Sequence, residues 1–138
     1  MKAVHATLRR KIFSSPSDVI GVLLAGTEEK FEVKEFNHLS LIIPLETPEG
    51  KNITKIEDFV NNPAELEKNV GKLEDSSAKV CVHESLWQCQ SLFNDVQGKV
   101  GFKKIIFFTS DDNPHKDDPA LRKQALMKAG VSSNILKS

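Results

Sequence analysis

Cysteine is scarce in this chain, long apolar runs are missing and neither sign of charge prevails; each shortage removes a class of protein. Two cysteines, Cys81 and Cys89, stand among 138 residues. So few do not make a disulfide framework, and reduced thiols fit an intracellular setting. The longest apolar runs, residues 19–25 and 105–108, fall far short of the roughly 18 residues that a membrane-spanning helix needs, so no membrane association is expected. Met1-Lys2-Ala3-Val4-His5 has no apolar core of signal-peptide length, and secretion is not expected. Internal repeats and low-complexity tracts are missing as well. A P-loop needs a GxxxxGK[ST] turn whose amides cradle phosphates. The Gly-Lys steps Gly50-Lys51, Gly71-Lys72 and Gly98-Lys99 are followed instead by Asn52, Leu73 and Val100, which excludes a nucleotide site of that class.

What is present reads as one globular domain. The apolar share is 39% and the charged share 28%, values of a folded soluble protein, and the length suits a single core. Nineteen Lys and Arg offset nineteen Asp and Glu, but unevenly. From residue 99 onward Lys99, Lys103, Lys104, Lys116, Arg122, Lys123, Lys128 and Lys137 face only Asp111, Asp112, Asp117 and Asp118. A basic carboxy-terminal third thus follows an acidic front.

Val4, Leu8 and Ile12 recur every four residues and predict an amphipathic helix over residues 2–13, with Arg9, Arg10 and Lys11 toward water. Ser14-Ser15-Pro16-Ser17 is a turn cluster. The apolar run that follows, residues 19–25, does not alternate, as expected of a strand covered on both faces in a mainly parallel sheet. Residues 27–37 are acidic and loop-like. Residues 39–45 read as a second strand, and Pro44, unable to donate to a ladder, belongs at a sheet edge or near the strand end. Ile53, Ile56, Phe59 and Val60 predict a short helix; residues 63–70 predict another, stopped by Gly71. Leu86, Cys89, Phe93 and Val96 form the core stripe of a helix over residues 83–97. Residues 104–109 predict a third strand. Asp118 before Pro119 predicts an N-cap with proline at the first helical position. The last helix ends near Ala129-Gly130, and residues 131–138 show no period. Helices alternating with apolar strands indicate an α/β layered domain with helices on both sheet faces, over residues 1–130, with 131–138 as an unassigned tail.

Three stretches resemble one family. The first is Lys11-Ile12-Phe13-Ser14-Ser15-Pro16-Ser17-Asp18 running into Val22-Leu23-Leu24-Ala25-Gly26-Thr27-Glu28. The second is Ser85-Leu86-Trp87 with Cys89, continuing as Leu92-Phe93-Asn94-Asp95-Val96-Gln97. The third is Lys104-Ile105-Ile106, Phe108-Thr109 and the loop Asp112-Asn113-Pro114-His115, closed by Lys128-Ala129-Gly130. In this order and spacing they resemble the amino-terminal von Willebrand A-like domain of the seventy-kilodalton Ku subunit. The resemblance implies a Rossmann-like α/β fold, expected here to be incomplete, without the family's first strand, its carboxy-terminal strands and its DNA-encircling barrel. It also implies a nuclear role in double-strand-break end joining and telomere maintenance. The implied partners are the eighty-kilodalton Ku subunit and end-joining factors, with duplex DNA ends held only through the full-length protein. The domain's own share is expected to be protein contact, without catalysis, although the family has carried an ATP-dependent helicase label.

The candidate chemistry is correspondingly thin. Many von Willebrand A domains bind a divalent ion through Asp-x-Ser-x-Ser after the first strand; that motif is missing, so Asp111 and Asp112 are read as turn residues and no metal is expected. Cys81, His83, Cys89 and His115 lack the short paired spacing of a zinc site. Catalysis by Cys81 would need a positioned base, and His83 two residues away is no evidence of one. No cofactor is expected. Contact with a partner or with phosphate is assigned to Asn94 and Asp95 on one helix and to Lys116, Arg122, Lys123 and Lys128 in the basic third. Trp87, one position from the core stripe, is expected to pack at a helix–sheet seam, with partner anchoring as the other reading. Rival functions are a metal-dependent adhesion-type α/β module, a small enzyme using Cys81, and a truncated paralogue without function.

Overall fold

The computed structural model describes residues 1–71, 82–96, 101–109, 113–115, 118–131 and 135–137, with side chains as far as residue 129. The chain divides into two compact units, Met1–Leu73 and Glu74–Ser138, and each holds a two-stranded sheet among the described residues.

In the first unit, α1 (Lys2–Ser14) buries Leu8 and leaves Arg9 and Arg10 exposed, the face its spacing predicts. It stops where Pro16 pushes Ser15 out of the helical region. The Ser15 N–H still reaches the Lys11 carbonyl at 2.8 Å, and the Lys11 ammonium closes the turn on Asp18 at 2.7 Å. β1 (Ile20–Ala25) then pairs antiparallel with β2 (Leu39–Glu46), which corrects the expectation of a mainly parallel sheet here. A continuous apolar run reports coverage rather than direction. Residues 26–38 form a tied loop rather than a crossover helix, so β2 returns reversed beside β1. Coverage on both faces holds for β2, whose neighbours Ile42 and Ile43 point oppositely and are both buried, whereas in β1 only Val22 is fully buried.

Pro44 finds its place at a bulge. Ile20 pairs with Glu46 and Val22 with Ile43, so Pro44 and Leu45 together oppose Gly21, and the missing proline donor leaves no gap in the ladder. A Cβ on Gly21 would stand 3.3 Å from the Ile43 carbonyl oxygen and from Leu45 backbone atoms, so glycine is what lets the bulged strand approach. A second shift leaves Ile42 unpaired between Val22 and Leu23; its carbonyl accepts from the Lys55 ammonium at 3.0 Å. That lysine sits on α2 (Gly50–Asn61), entered through the Glu49 N–H donating to Asn52 Oδ1 at 2.7 Å. α3 (Pro63–Val70) follows with proline in its first turn and ends at Gly71, as its sequence predicts. Leu8, Val22, Ile42, Ile43, Ile56, Phe59, Leu66 and Val70 form one core from α1, both strands, α2 and α3.

The second unit runs α4 (Val82–Asp95), β3 (Ile105–Phe107), α5 (Pro119–Val131) and β4 (Ile135–Lys137). Here the parallel arrangement is found: β3 pairs with β4 in register Ile105 to Ile135, with α5 as the crossover. β4 lies in the stretch that shows no period, because three residues are too few to display one.

Candidate partner and phosphate interface

α4 buries Ser85 and Leu86 on the side its apolar stripe predicts, and Cys89 and Phe93 are half-buried there. Burial pushes the Cys89 thiol up to about 11, so the sulfur is shielded although the residue as a whole is partly accessible. Trp87 points the other way. It is 45% exposed, which corrects the seam packing read from its position: at 100° per residue it falls opposite Ser85 rather than beside the stripe. Asn94, seven residues on, shares that outward side and is exposed, as is Asp95.

α5 begins where predicted. Asp118 Oδ1 accepts from the amides of Ala120 at 2.9 Å and Leu121 at 3.2 Å, satisfying two of the helix's free N–H groups. Its inner side is narrow, with Ala125 buried and Leu121, Lys128 and Ala129 half-buried. The contact with α4 is made in part by Lys128, whose ammonium lies 3.5 Å from the centroid of the Trp87 ring. Such a stack contributes about 0.5–1 kcal/mol at an exposed site. Arg122 and Lys123 remain exposed on α5. Leu126 and Met127 are exposed too, at 63% and 65%.

The structure thus brings Trp87 and Lys128 together and leaves Arg122 and Lys123 on the same helix as Lys128. Lys116, Cys81, Asp111, Asp112 and Asp117 lie outside the described residues. Among the described residues no three His, Cys, Asp or Glu converge on a point that could hold a metal ion.

Sequence reasoning missed two features. One is the apolar pair Leu126 and Met127, whose signal was their position a quarter-turn or more off the Leu121–Ala125 side. The other lies in the first unit. Thr27 and Ser40, both fully buried, join across the mouth of the β1–β2 loop at 3.0 Å. Both hydroxyls reach the Glu29 carbonyl, at 2.7 and 2.9 Å, the Phe31 N–H donates to Ser40 Oγ, and His38 Nδ1 meets the Thr27 carbonyl at 2.9 Å. The signal was a Gly-Thr step ending an apolar strand and a lone serine between Leu39 and Leu41.

Helices alternate with short strands in both units, and the second holds a β3–α5–β4 crossover, the order of an α/β protein. Residues 1–132 match the family described as the Ku70/Ku80 N-terminal alpha/beta domain. The chain belongs to that family. It is similar to X-ray repair cross-complementing protein 6 of Mus musculus, 30% identical over 131 residues, covering 94% of this chain and 21% of that protein. It is also similar to ATP-dependent DNA helicase 2 subunit 1 of Rhipicephalus appendiculatus, 28% identical over 130 residues with 94% and 20% covered. ATP-dependent DNA helicase ku70 of Dictyostelium discoideum is 24% identical over 145 residues, with 98% and 16% covered. The chain spans about a fifth of the length of these relatives.

Proposed function

We propose that this domain serves the nuclear repair of DNA double-strand breaks by end joining, as a protein-contact surface of a Ku subunit paired with the eighty-kilodalton Ku subunit. Its role is non-catalytic, and duplex ends are gripped by other parts of the heterodimer. The observation that carries the reading is the outward surface of α4 and α5, where Trp87 is exposed under Lys128 and Arg122 and Lys123 have no buried role. Trp and Arg are the residue types that dominate interface hot spots. Asn94 and Asp95 are exposed on α4; Lys116 was assigned with them from the sequence and lies outside the described residues. Membership of the Ku amino-terminal family supports the setting.

The test titrates the chain with the eighty-kilodalton subunit, with purified end-joining factors, and with linear and closed circular duplex. Charge reversal of Arg122 and Lys123, with Trp87→Ala, is expected to weaken a protein partner at least tenfold, about 1.4 kcal/mol, while far-ultraviolet circular dichroism stays unchanged. A preference for linear over circular DNA that persists at about 150 mM salt would mean that the domain recognises ends itself, and the contact-surface reading would fall.

A further inference from the structure

Six prolines occur, and two of them follow a hydroxyl residue: Pro16 after Ser15 and Pro48 after Thr47. Their surroundings differ. Pro48 is buried, and Thr47 stands two residues before the Glu49 cap of α2. Pro16 is exposed in the turn between α1 and β1, flanked by exposed Ser14, Ser17 and Asp18. Ser15 is itself half-buried and has already left the helix, with φ −150 and ψ 71, and its hydroxyl makes no hydrogen bond among the described residues. A cation stands close by: Lys11, one helical turn before Ser15, bridges the turn to Asp18 at 2.7 Å, and both of its partners in this pair are about half exposed.

We propose that Ser15 is a phosphoacceptor for a proline-directed protein kinase and that Lys11 then exchanges Asp18 for the phosphate. Enzymes of this class select a following residue that has no amide proton and that keeps the acceptor out of the helical region, which the Ser15-Pro16 step supplies. In the transfer, Ser15 Oγ attacks the γ-phosphorus of a magnesium-bound nucleoside triphosphate. The bond from that phosphorus to the β–γ bridging oxygen breaks, the nucleoside diphosphate leaves, and the hydroxyl proton passes to the kinase's carboxylate base. The phosphoserine carries about −1.5 to −2 charges at neutral pH against one on Asp18. Ser15 follows the end of α1 directly and its N–H bonds the Lys11 carbonyl, which puts a phosphate there within reach of the Lys11 side chain, so the larger charge captures the ammonium. The burial of Pro48 closes the corresponding step at Thr47, because the proline cannot enter a kinase groove without opening the β2–α2 connection.

The experiment incubates the full chain with a purified cyclin-dependent kinase and ATP, and maps the phosphate by mass spectrometry. One phosphate on Ser15 is expected, with the rate at least tenfold lower in Ser15→Ala and Pro16→Ala and unchanged in Thr47→Ala. Incorporation at Thr47, Ser14 or Ser17 in place of Ser15 overturns the proposal. So does failure of the folded chain to react under conditions that phosphorylate a peptide of residues 9–20. The exchange is read separately, as a difference in phosphoserine ³¹P chemical shift between the wild type and Lys11→Met at one pH; identical shifts overturn that part.

Discussion

At Cys89 a single buried sulfur sets a pH dependence. The folded thiol ionises near 11 against a reference of 9.0, because burial disfavours the thiolate. As pH climbs, the unfolded chain loses its proton first. Stability from this group is therefore complete below about pH 9 and is lost as pH rises from there through about 11. Urea midpoints should fall over that window, and Cys89→Ala should flatten the fall. Native alkylation of Cys89 at pH 8 should be about 100-fold slower than in the unfolded chain, following the thiolate fraction. The Thr27–Ser40 pair makes a second residue-scale prediction. Both hydroxyls lie within donating distance of the Glu29 carbonyl and of each other, so two protons are shared among three contacts and the pair acts as one unit. Ser40→Ala also strips the Phe31 N–H of its acceptor, and should cost about 1–3 kcal/mol. In a double-mutant cycle with Thr27→Val the two losses should not add, with a coupling of at least about 0.5 kcal/mol.

Helix ends and helix contacts give the predictions at the scale of elements. Gly71 ends α3 at φ +69, and a Cβ there would come within 2.9 Å of the Glu28 Cβ. Gly50 opens α2 with nothing within 4 Å of an added Cβ. Gly71→Ala should therefore destabilise by more than about 1 kcal/mol, whereas Gly50→Ala should be neutral or stabilising. Chemical denaturation of the two variants checks the contrast. Trp87 is the chain's one tryptophan, so its fluorescence reports on the contact of α4 with α5. Removing the stacked ammonium in Lys128→Ala should shift its emission and lower stability by about 0.5–1 kcal/mol, while Lys123→Ala should leave the spectrum unchanged.

For the whole molecule, the basic carboxy-terminal third meets DNA with fewer free cations than its sequence suggests. With Lys128 held on Trp87, phosphate contact falls to Lys116, Arg122 and Lys123. The contribution of this set to the log-log salt slope of duplex binding, read against a variant with the set changed to Ala, should then not exceed about −2.7, against about −3.6 with Lys128 as a fourth contact. Filter binding at two salt concentrations distinguishes the values. Much of the fold was legible at this scale: α1 from Val4, Leu8 and Ile12, α3 from Pro63 and Gly71, α5 from Asp118 and Pro119. Each depends on neighbours within a turn or two. The candidate surface was legible only as a set of charges. That Lys128 lies on Trp87, and that Leu126 and Met127 face water, depends on which side of α5 meets α4, and charge spacing carries no such information.

The sequence by itself determined the helices, the Asp118 cap and the Gly71 stop, the place of β1, β2 and β3, and the family. These rest on backbone stereochemistry and on short-range apolar periodicity, which are local. The tertiary structure decided that β1 and β2 run antiparallel, that β4 exists at all, and that Thr27 and Ser40 share a buried hydrogen-bond triangle. Strand direction is set by how residues 26–38 return the chain, and β4 by the crossover through α5, so both depend on contacts between residues far apart in sequence. No window of the sequence contains both sides of such a contact.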